Sequence, residues 1–425
     1  MWNYLIAVLC FLFVLHTHGQ APAINQDPIA VKQDSIKKRE FLQKLGNGFI
    51  PTKYFDIDLR YLIKYNQYEG LRNGFGGLTN NNLSKVFRIN SYVAYGFRDN
   101  RFKYGVGGSL RLTKNNKTWL NLYYTDDLQE TGSSKFLTDK RFFSFFEPRL
   151  LNIDLFYKYI EQSISVTHEL APQVLTELQL SVSNVNPTYT YQYIHNGTSY
   201  TEFNLSKVVL SAQFNPFSTY TLVKNRLKET TVGYPKFSVQ LTQAAAGIFK
   251  SELNFTKIDF RTLYEIHLPS QAYSRFIVTS GLAAGNAPLS HLYHAYPNNI
   301  NKETILQRFS VAGIDSFETM YFNEFFSDRF VTLQWRHYFK PFNIAARFKP
   351  QLVLISRFAI GNMSHIHKHQ GIQFGTLNKG YTESGFEINK ILFGFGLSGT
   401  YRYGGYHLPE FGDNIAVKFT FNLTL

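Results

Sequence analysis

Phe87, Ile89, Val93, Tyr95 and Phe97 share one face of an extended run, and Arg88, Asn90, Tyr92, Ala94 and Gly96 share the other. After Asp99-Asn100 the alternation resumes, with Phe102, Tyr104, Val106, Gly108, Leu110 and Leu112 against Arg101, Lys103, Gly105, Gly107, Ser109 and Arg111. Two such runs across a two-residue polar turn make a hairpin with one apolar and one small, polar or basic face. The same period recurs from Phe393 to Tyr403, Ile415 to Leu425, Val331 to Phe339 and Phe237 to Thr242. Strands of a soluble sandwich run to five or six residues. Runs of ten or more match a tilted strand that crosses a bilayer. In hydrocarbon every unpaired backbone N–H or C=O is costly, so a sheet that crosses must close on itself. At about 10 residues per strand, the chain from Ile50 onward holds about 16 antiparallel strands, within a range of about 14 to 18.

Composition agrees with an all-β transmembrane barrel. The 425 residues include 40 Phe and 28 Tyr, only 17% are charged, and mean hydropathy is -0.21 although 44% are hydrophobic. Strands with one lipid-facing and one polar face give that combination, and a disordered chain does not. Aromatic residues near run ends, such as Phe97, Phe102, Tyr401 and Tyr403, suit interfacial girdles. The single Cys cannot support a disulfide framework. After the first 15 residues no apolar stretch is long enough for a membrane-spanning helix.

The apolar run Leu5–Leu15, followed by small residues at Thr17 and Gly19, reads as a secretory signal peptide over residues 1–19. Residues 20–50 are richer in Pro, Gln, Asp and Lys and read as a periplasmic tether with a short helix from Ser35 to Leu45. Residues 51–425 are then the barrel. Polar or irregular connections at Asp126–Asp139, Asn184–Thr201 and Gly361–Asn378 are candidate outer loops or lumen plugs. The Phe- and Leu-rich Lys140–Tyr157 lacks alternation and is a candidate lumenal or rim helix.

Several words of the sequence resemble one Gram-negative outer-membrane family of unknown function. They are Tyr65-Asn66-Gln67-Tyr68-Glu69-Gly70-Leu71-Arg72-Asn73-Gly74, Ala94-Tyr95-Gly96-Phe97-Arg98-Asp99 and Lys103-Tyr104-Gly105. Gly281 to Asn298, Phe317 to Phe330 with His337, and Lys379 to Ile388 are similar to later signatures of that family. In the family a carboxypeptidase-regulatory-like domain usually precedes the barrel, so the resemblance implies a barrel-only or shortened member. More distantly, the last two strands resemble the end of the bacterial surface antigen superfamily, whose members insert or translocate proteins at the outer membrane. Neither a Val-Arg-Gly-Phe-like loop word nor preceding polypeptide-transport repeats are present.

Charged residues on non-lipid faces are the candidate lumen or gate residues: Glu69, Arg72, Arg101, Lys103, Arg111, Glu324, Asp328, Arg329, Arg336 and Arg402. Buried charges pair, which makes a structural lumen network the first reading and a gate or substrate path the second. Glu324, Asp328, Arg329 and Arg336 are expected to cluster, and Arg101, Lys103 and Arg111 to line the lumen with positive charge. His365, His367 and His369 alternate as metal ligands would, but no carboxylate lies within the run, so it reads as an exposed polar loop. His291 and His294 read the same way, and no cofactor or metal is expected.

No Gly-x-Ser-x-Gly or His-Glu-x-x-His word appears, so no enzymatic activity is expected. The net charge of +14 suits lipid head groups and lipopolysaccharide at the rims; the basic residues are too dispersed for nucleic acid. The expected protein is a monomeric outer-membrane barrel in membrane biogenesis or substrate translocation, with envelope-assembly or periplasmic proteins as partners. The alternatives are an anion-selective pore or uptake channel and, less favoured, an outer-membrane enzyme.

Overall fold

The computed structural model describes residues 41–42, 44–113, 117–137, 149, 153–223, 226–300, 311–313, 315–345, 348–392 and 394–421. The chain divides into two units, Met1–Lys44 and Leu45–Leu425. In the first, residues 41, 42 and 44 are helical. The signal segment and most of the Ser35–Leu45 helix lie outside the described residues.

The second unit is an antiparallel β-barrel. Its first strand is broken: Phe55–Asp58 and Ile63–Asn66 both pair with Gly70–Thr79 and are separated by a single turn of 3-10 helix at Leu59–Tyr61. Each later strand pairs with the next in chain order. The series runs through Phe87–Gly96, Arg101–Arg111, Thr118–Glu130, Phe156–Ala171, Val174–Pro187, Phe203–Phe214 and Lys236–Ala244. It continues through Phe255–His267, Tyr273–Gly285, Arg329–Tyr338, Gln351–Asn362, Tyr381–Leu392, Phe395–Gly404 and Ile415–Phe421. Counting the broken strand once and leaving aside the short Phe49–Pro51 strand that pairs with Phe55–Asp58, the large sheet holds sixteen strands among the described residues. Among the described residues no ladder joins the first strand to the last. No described helix is long and apolar enough to cross a membrane.

Burial is inverted relative to a water-soluble protein. Leu71, Ile89, Val106, Leu122, Leu210 and Val417 are exposed on the outer face, while their strand neighbours turn inward to Lys103, Ser165, Lys257 and Arg402. The alternation matches a wall with lipid on one side and a polar interior on the other.

The connections divide the two ends. One end carries 131–155, 188–202, 286–328 and 363–380, and the other mostly short turns such as 172–173 and 268–272. Lys140–Tyr157 lies largely outside the described residues, but its last two residues are not helical: Phe156 and Tyr157 open the Phe156–Ala171 strand and are buried. At the loop-rich end Tyr191, Tyr193, Phe203, Phe255, Leu289 and Phe326 form an apolar cluster.

Candidate functional site

In the C-terminal half the described parts of the connection 286–328, residues 286–300, 311–313 and 315–328, fold back against the inner faces of the strands. Within it Pro297–Asn299 and Phe317–Tyr321 form a small parallel pair. Asn298, Ser316, Phe317, Glu318 and Thr319 are all buried. A segment with that many backbone amides and carboxylates can be buried only if each finds a partner, and the facing strands supply them.

Glu383 is the main anchor. Its carboxylate accepts the backbone N–H of Glu318 and of Thr319, each at 2.9 Å, and the Thr319 hydroxyl at 2.6 Å. On its other side Arg357 donates to it at 2.7 Å, and both side chains are completely buried. Glu318 is in turn held by Lys418 at 2.9 Å, by the Ser316 hydroxyl at 2.7 Å and by Asn298 at 2.9 Å. Arg402 forms a two-pronged bond to Glu324 at 2.6 and 3.1 Å, with its guanidinium 4.8 Å from the Tyr381 ring centroid. Gln334 donates to the Asp315 carbonyl at 2.7 Å. Five consecutive strands, from Arg329–Tyr338 to Ile415–Phe421, thus hold one inserted connection.

The connection is also tied to the preceding loop. Glu130 receives Arg149 at 2.5 Å and His294 at 2.8 Å, and Arg149 donates to the Pro297 carbonyl at 3.1 Å. Near the first strands there is a second charge network. Arg72 bonds Asp127 at 2.6 and 2.9 Å, Tyr92 donates to Asp127 at 2.6 Å, and Lys103 bridges Glu69 at 2.8 Å and Asp99 at 2.5 Å. The strands from Gly70–Thr79 to Phe255–His267 enclose a polar cavity of about 670 Å³, lined among others by Tyr123, Tyr159, Ser165, Gln179, Ser183 and Lys207.

Glu69 and Arg72 lie together at 3.4 Å, and Lys103, which the sequence placed with Arg101 and Arg111, joins Glu69 instead. The expected cluster of Glu324, Asp328, Arg329 and Arg336 does not form. Glu324 pairs with Arg402, and Arg336 bonds Glu387. Arg329 shares the outer face with exposed Val331 and Leu333 and bonds Ser364 at 2.7 Å, while Asp328 accepts the Ser364 N–H at 2.7 Å at the rim. Parity explains the error, because Arg329 and Val331 lie two apart on a strand and must point the same way.

The expected cation-lined wall is corrected too. Lys103 is neutralised by two carboxylates, and Arg101, at a strand end, is exposed. Arg111 is half-buried near the opposite end of the same strand.

The charges that sequence reasoning passed over are Glu130, Arg149, Glu318, Arg357, Glu383, Glu387 and Lys418. Arg357, Glu383, Glu387 and Lys418 carried a signal, since each alternates with lipid-facing neighbours such as Phe358, Phe386 and Val417. Glu318 and Arg149 lie in connections, where no periodicity locates them.

His369 is buried at the loop-rich end and meets the Tyr191 hydroxyl at 2.7 Å; that hydroxyl also accepts the Leu289 N–H at 2.9 Å. Burial, with Lys368, His367 and His365 adding to it, pushes its pKa down to about 4. One hydrogen-bonded chain thus ties three outer connections, 188–202, 286–328 and 363–380. His365 and His367 are exposed, with ring centroids 5.9 Å apart. His291 and His294 separate, the first stacking on Tyr157 and the second bonding Glu130. No metal-binding group of three ligands occurs among the described residues.

The fold is similar to that of BamA from Haemophilus ducreyi lacking POTRA domains 1–3, at 11% identity and a TM-score of 0.50, over 92% of this chain and 78% of that one. CdiB from Acinetobacter baumannii aligns at 12% identity and a TM-score of 0.44, over 84% of this chain and 57% of that one. CdiB from Escherichia coli aligns at 9% identity and a TM-score of 0.46, over 84% and 60%. At such identities the likeness concerns the fold alone. A sequence comparison with curated proteins gives no match. The profile of the C-terminal domain of a family of unknown function, DUF5686, matches residues 51–342, which takes in the early words and those of the 286–328 connection but not Lys379–Ile388. A barrel of this order whose sequence matches that profile over more than half its length belongs to the DUF5686 family.

Proposed function

We propose that this outer-membrane barrel serves membrane biogenesis or substrate translocation, with the 286–328 connection as a seated plug, and that it is not a standing anion-selective pore. The observation that carries the reading is the mounting of that connection by Glu383, Arg357, Lys418 and Arg402. Buried ion pairs add little net stability compared with apolar packing, but they specify one register and fit elements with two arrangements. A plug held this way keeps the lumen shut at rest and moves as a unit when a substrate or partner engages the barrel. The partners of the reading are envelope-assembly or periplasmic proteins, and the role is non-catalytic.

Planar-bilayer conductance tests it. The wild-type barrel should give rare, brief openings, and Glu318→Gln combined with Lys418→Gln should raise their frequency at least about tenfold, the effect of roughly 1.4 kcal/mol on a closed–open equilibrium. Large, steady, anion-selective currents from the wild-type protein would overturn the plug reading and favour the pore. Depletion in cells should also lower the amount of other heat-modifiable barrels in the outer membrane; unchanged levels would sink the biogenesis role.

A further inference from the structure

A second cavity, of about 450 Å³, opens at the loop-rich rim, with buried Tyr193, Ala287, Leu292 and Met363 on its inner side and exposed strand-end and loop residues on its outer side. Its lower wall is the end of the Tyr273–Gly285 strand, where Leu282, Ala284 and Gly285 are exposed on the outer face. Arg329 pairs in register with Leu282 on one side and Asn362 on the other, directly above exposed Val331, whose own partner is exposed Ile360. Above them stand Ser364, His365 and Lys368 from the 363–380 connection.

Cations thus meet apolar surface on the side of the wall that faces lipid. Arg329 is half-exposed and bonds Ser364 at 2.7 Å and Asp328 at 3.4 Å through one nitrogen. Lys368 reaches Asn286 at 3.2 Å. Asp328 is the opposing charge, and its second oxygen is taken by the Ser364 N–H. Arg329 and Lys368 against Asp328 leave the cleft net positive before His365 is counted. A guanidinium and an ammonium aimed at one space, over a greasy row one strand-width wide, match a phosphate above an acyl chain. Lumenal chemistry needs no such apolar row, and a soluble anion has no use for it.

We propose that this rim cleft binds a phosphate-bearing amphiphile of the membrane leaflet at the loop-rich end, its phosphate between Arg329 and Lys368 and an acyl chain along Leu282, Val331 and Ile360. The inference rests on the outer-membrane reading of the barrel and not on its role in biogenesis or translocation.

The test uses the refolded full-length protein in uncharged detergent micelles, titrated with bis-phosphorylated lipid A, with the same lipid A after phosphate removal, and with inorganic phosphate. Arg329→Ser combined with Lys368→Ser should weaken binding of the phosphorylated lipid about tenfold or more, the loss of one to two charge-assisted hydrogen bonds. Arg98→Ser combined with Arg101→Ser, two exposed cations at the same end of distant strands, should not change it. Equal losses from both pairs, no loss from the first pair, or equal affinity for the dephosphorylated lipid would each overturn the site. Displacement of the lipid by excess inorganic phosphate would assign it to free phosphate and overturn the amphiphile. A heat-modifiable gel band establishes folding of each variant. Should the double variant lack it, the single change Lys368→Gln, at a half-buried side chain, carries the same comparison, with a threefold or greater loss expected and an unchanged affinity overturning the assignment. Neither result depends on conductance, so failure here and failure of the plug are separable.

Discussion

Arg357 sits between a strand and an inserted loop with no access to solvent, and its partner Glu383 spends its remaining acceptor capacity on the loop backbone. Truncating Arg357 to Met leaves a buried carboxylate without its cation, a change that costs about 3–5 kcal/mol in comparable sites. Denaturant unfolding in lipid vesicles should show that loss. Adding Glu383→Met should recover only part of it, because the Glu318 and Thr319 amides would then lack their acceptor. Full recovery in the double variant would mean that Glu383 does not mount the loop. His369 makes a pH-dependent counterpart. In the unfolded chain its imidazole takes up a proton near 6.5 and in the folded chain at about 4. Between those values the unfolded state binds more protons, so stability is lost as pH falls through 6.5 and the loss is complete near 4. Protonation also places a charge on the buried ring that Tyr191 contacts while its hydroxyl holds Leu289. Limited proteolysis in 188–202 should therefore speed up at about pH 5 relative to neutrality, and His369→Phe should remove the difference. A pH response that persists in that variant would place the sensitive group elsewhere.

At the scale of strands, consecutive glycines report which face is which. Gly107 faces inward, where a Cβ would run into the Tyr123 ring and the Leu122 carbonyl; for Gly108, on the lipid side, the nearest atom is the Arg88 carbonyl oxygen at 3.9 Å. Gly107→Val should abolish or slow refolding, as read by the heat-modifiable band, while Gly108→Val should refold like the parent. Similar behaviour of the two would contradict the assigned faces. This parity was legible in the sequence, as were the length of the strands and the inward placement of Lys103, Arg336 and Arg402. The same rule, applied to Arg329 through Val331, would have put that residue outside as well. The contents of connections were not legible. Glu318 and Arg149 belong to segments with no repeating pattern, and their burial follows from where those segments are folded back, not from their neighbours in sequence.

For the whole molecule, the inserted connection occupies the C-terminal half of the lumen, while strands of the N-terminal half line an open polar cavity. Removal of the charges that seat 286–328 should convert a closed barrel into a conducting one, whereas Arg72→Gln, in the other network, should leave conductance low. Equal conductance in both variants would show that neither half is specifically plugged. By itself the sequence determined the strand period, the lipid-facing aromatic and aliphatic rows, and hence a long antiparallel sheet of the outer-membrane barrel type, because these depend on residues two apart. Only the tertiary structure decided which charges meet. Glu130 and His294 are 164 positions apart, and Arg402 and Glu324 78 apart, and such pairs form where a loop enters the lumen, a placement set by wrapping the sheet around it.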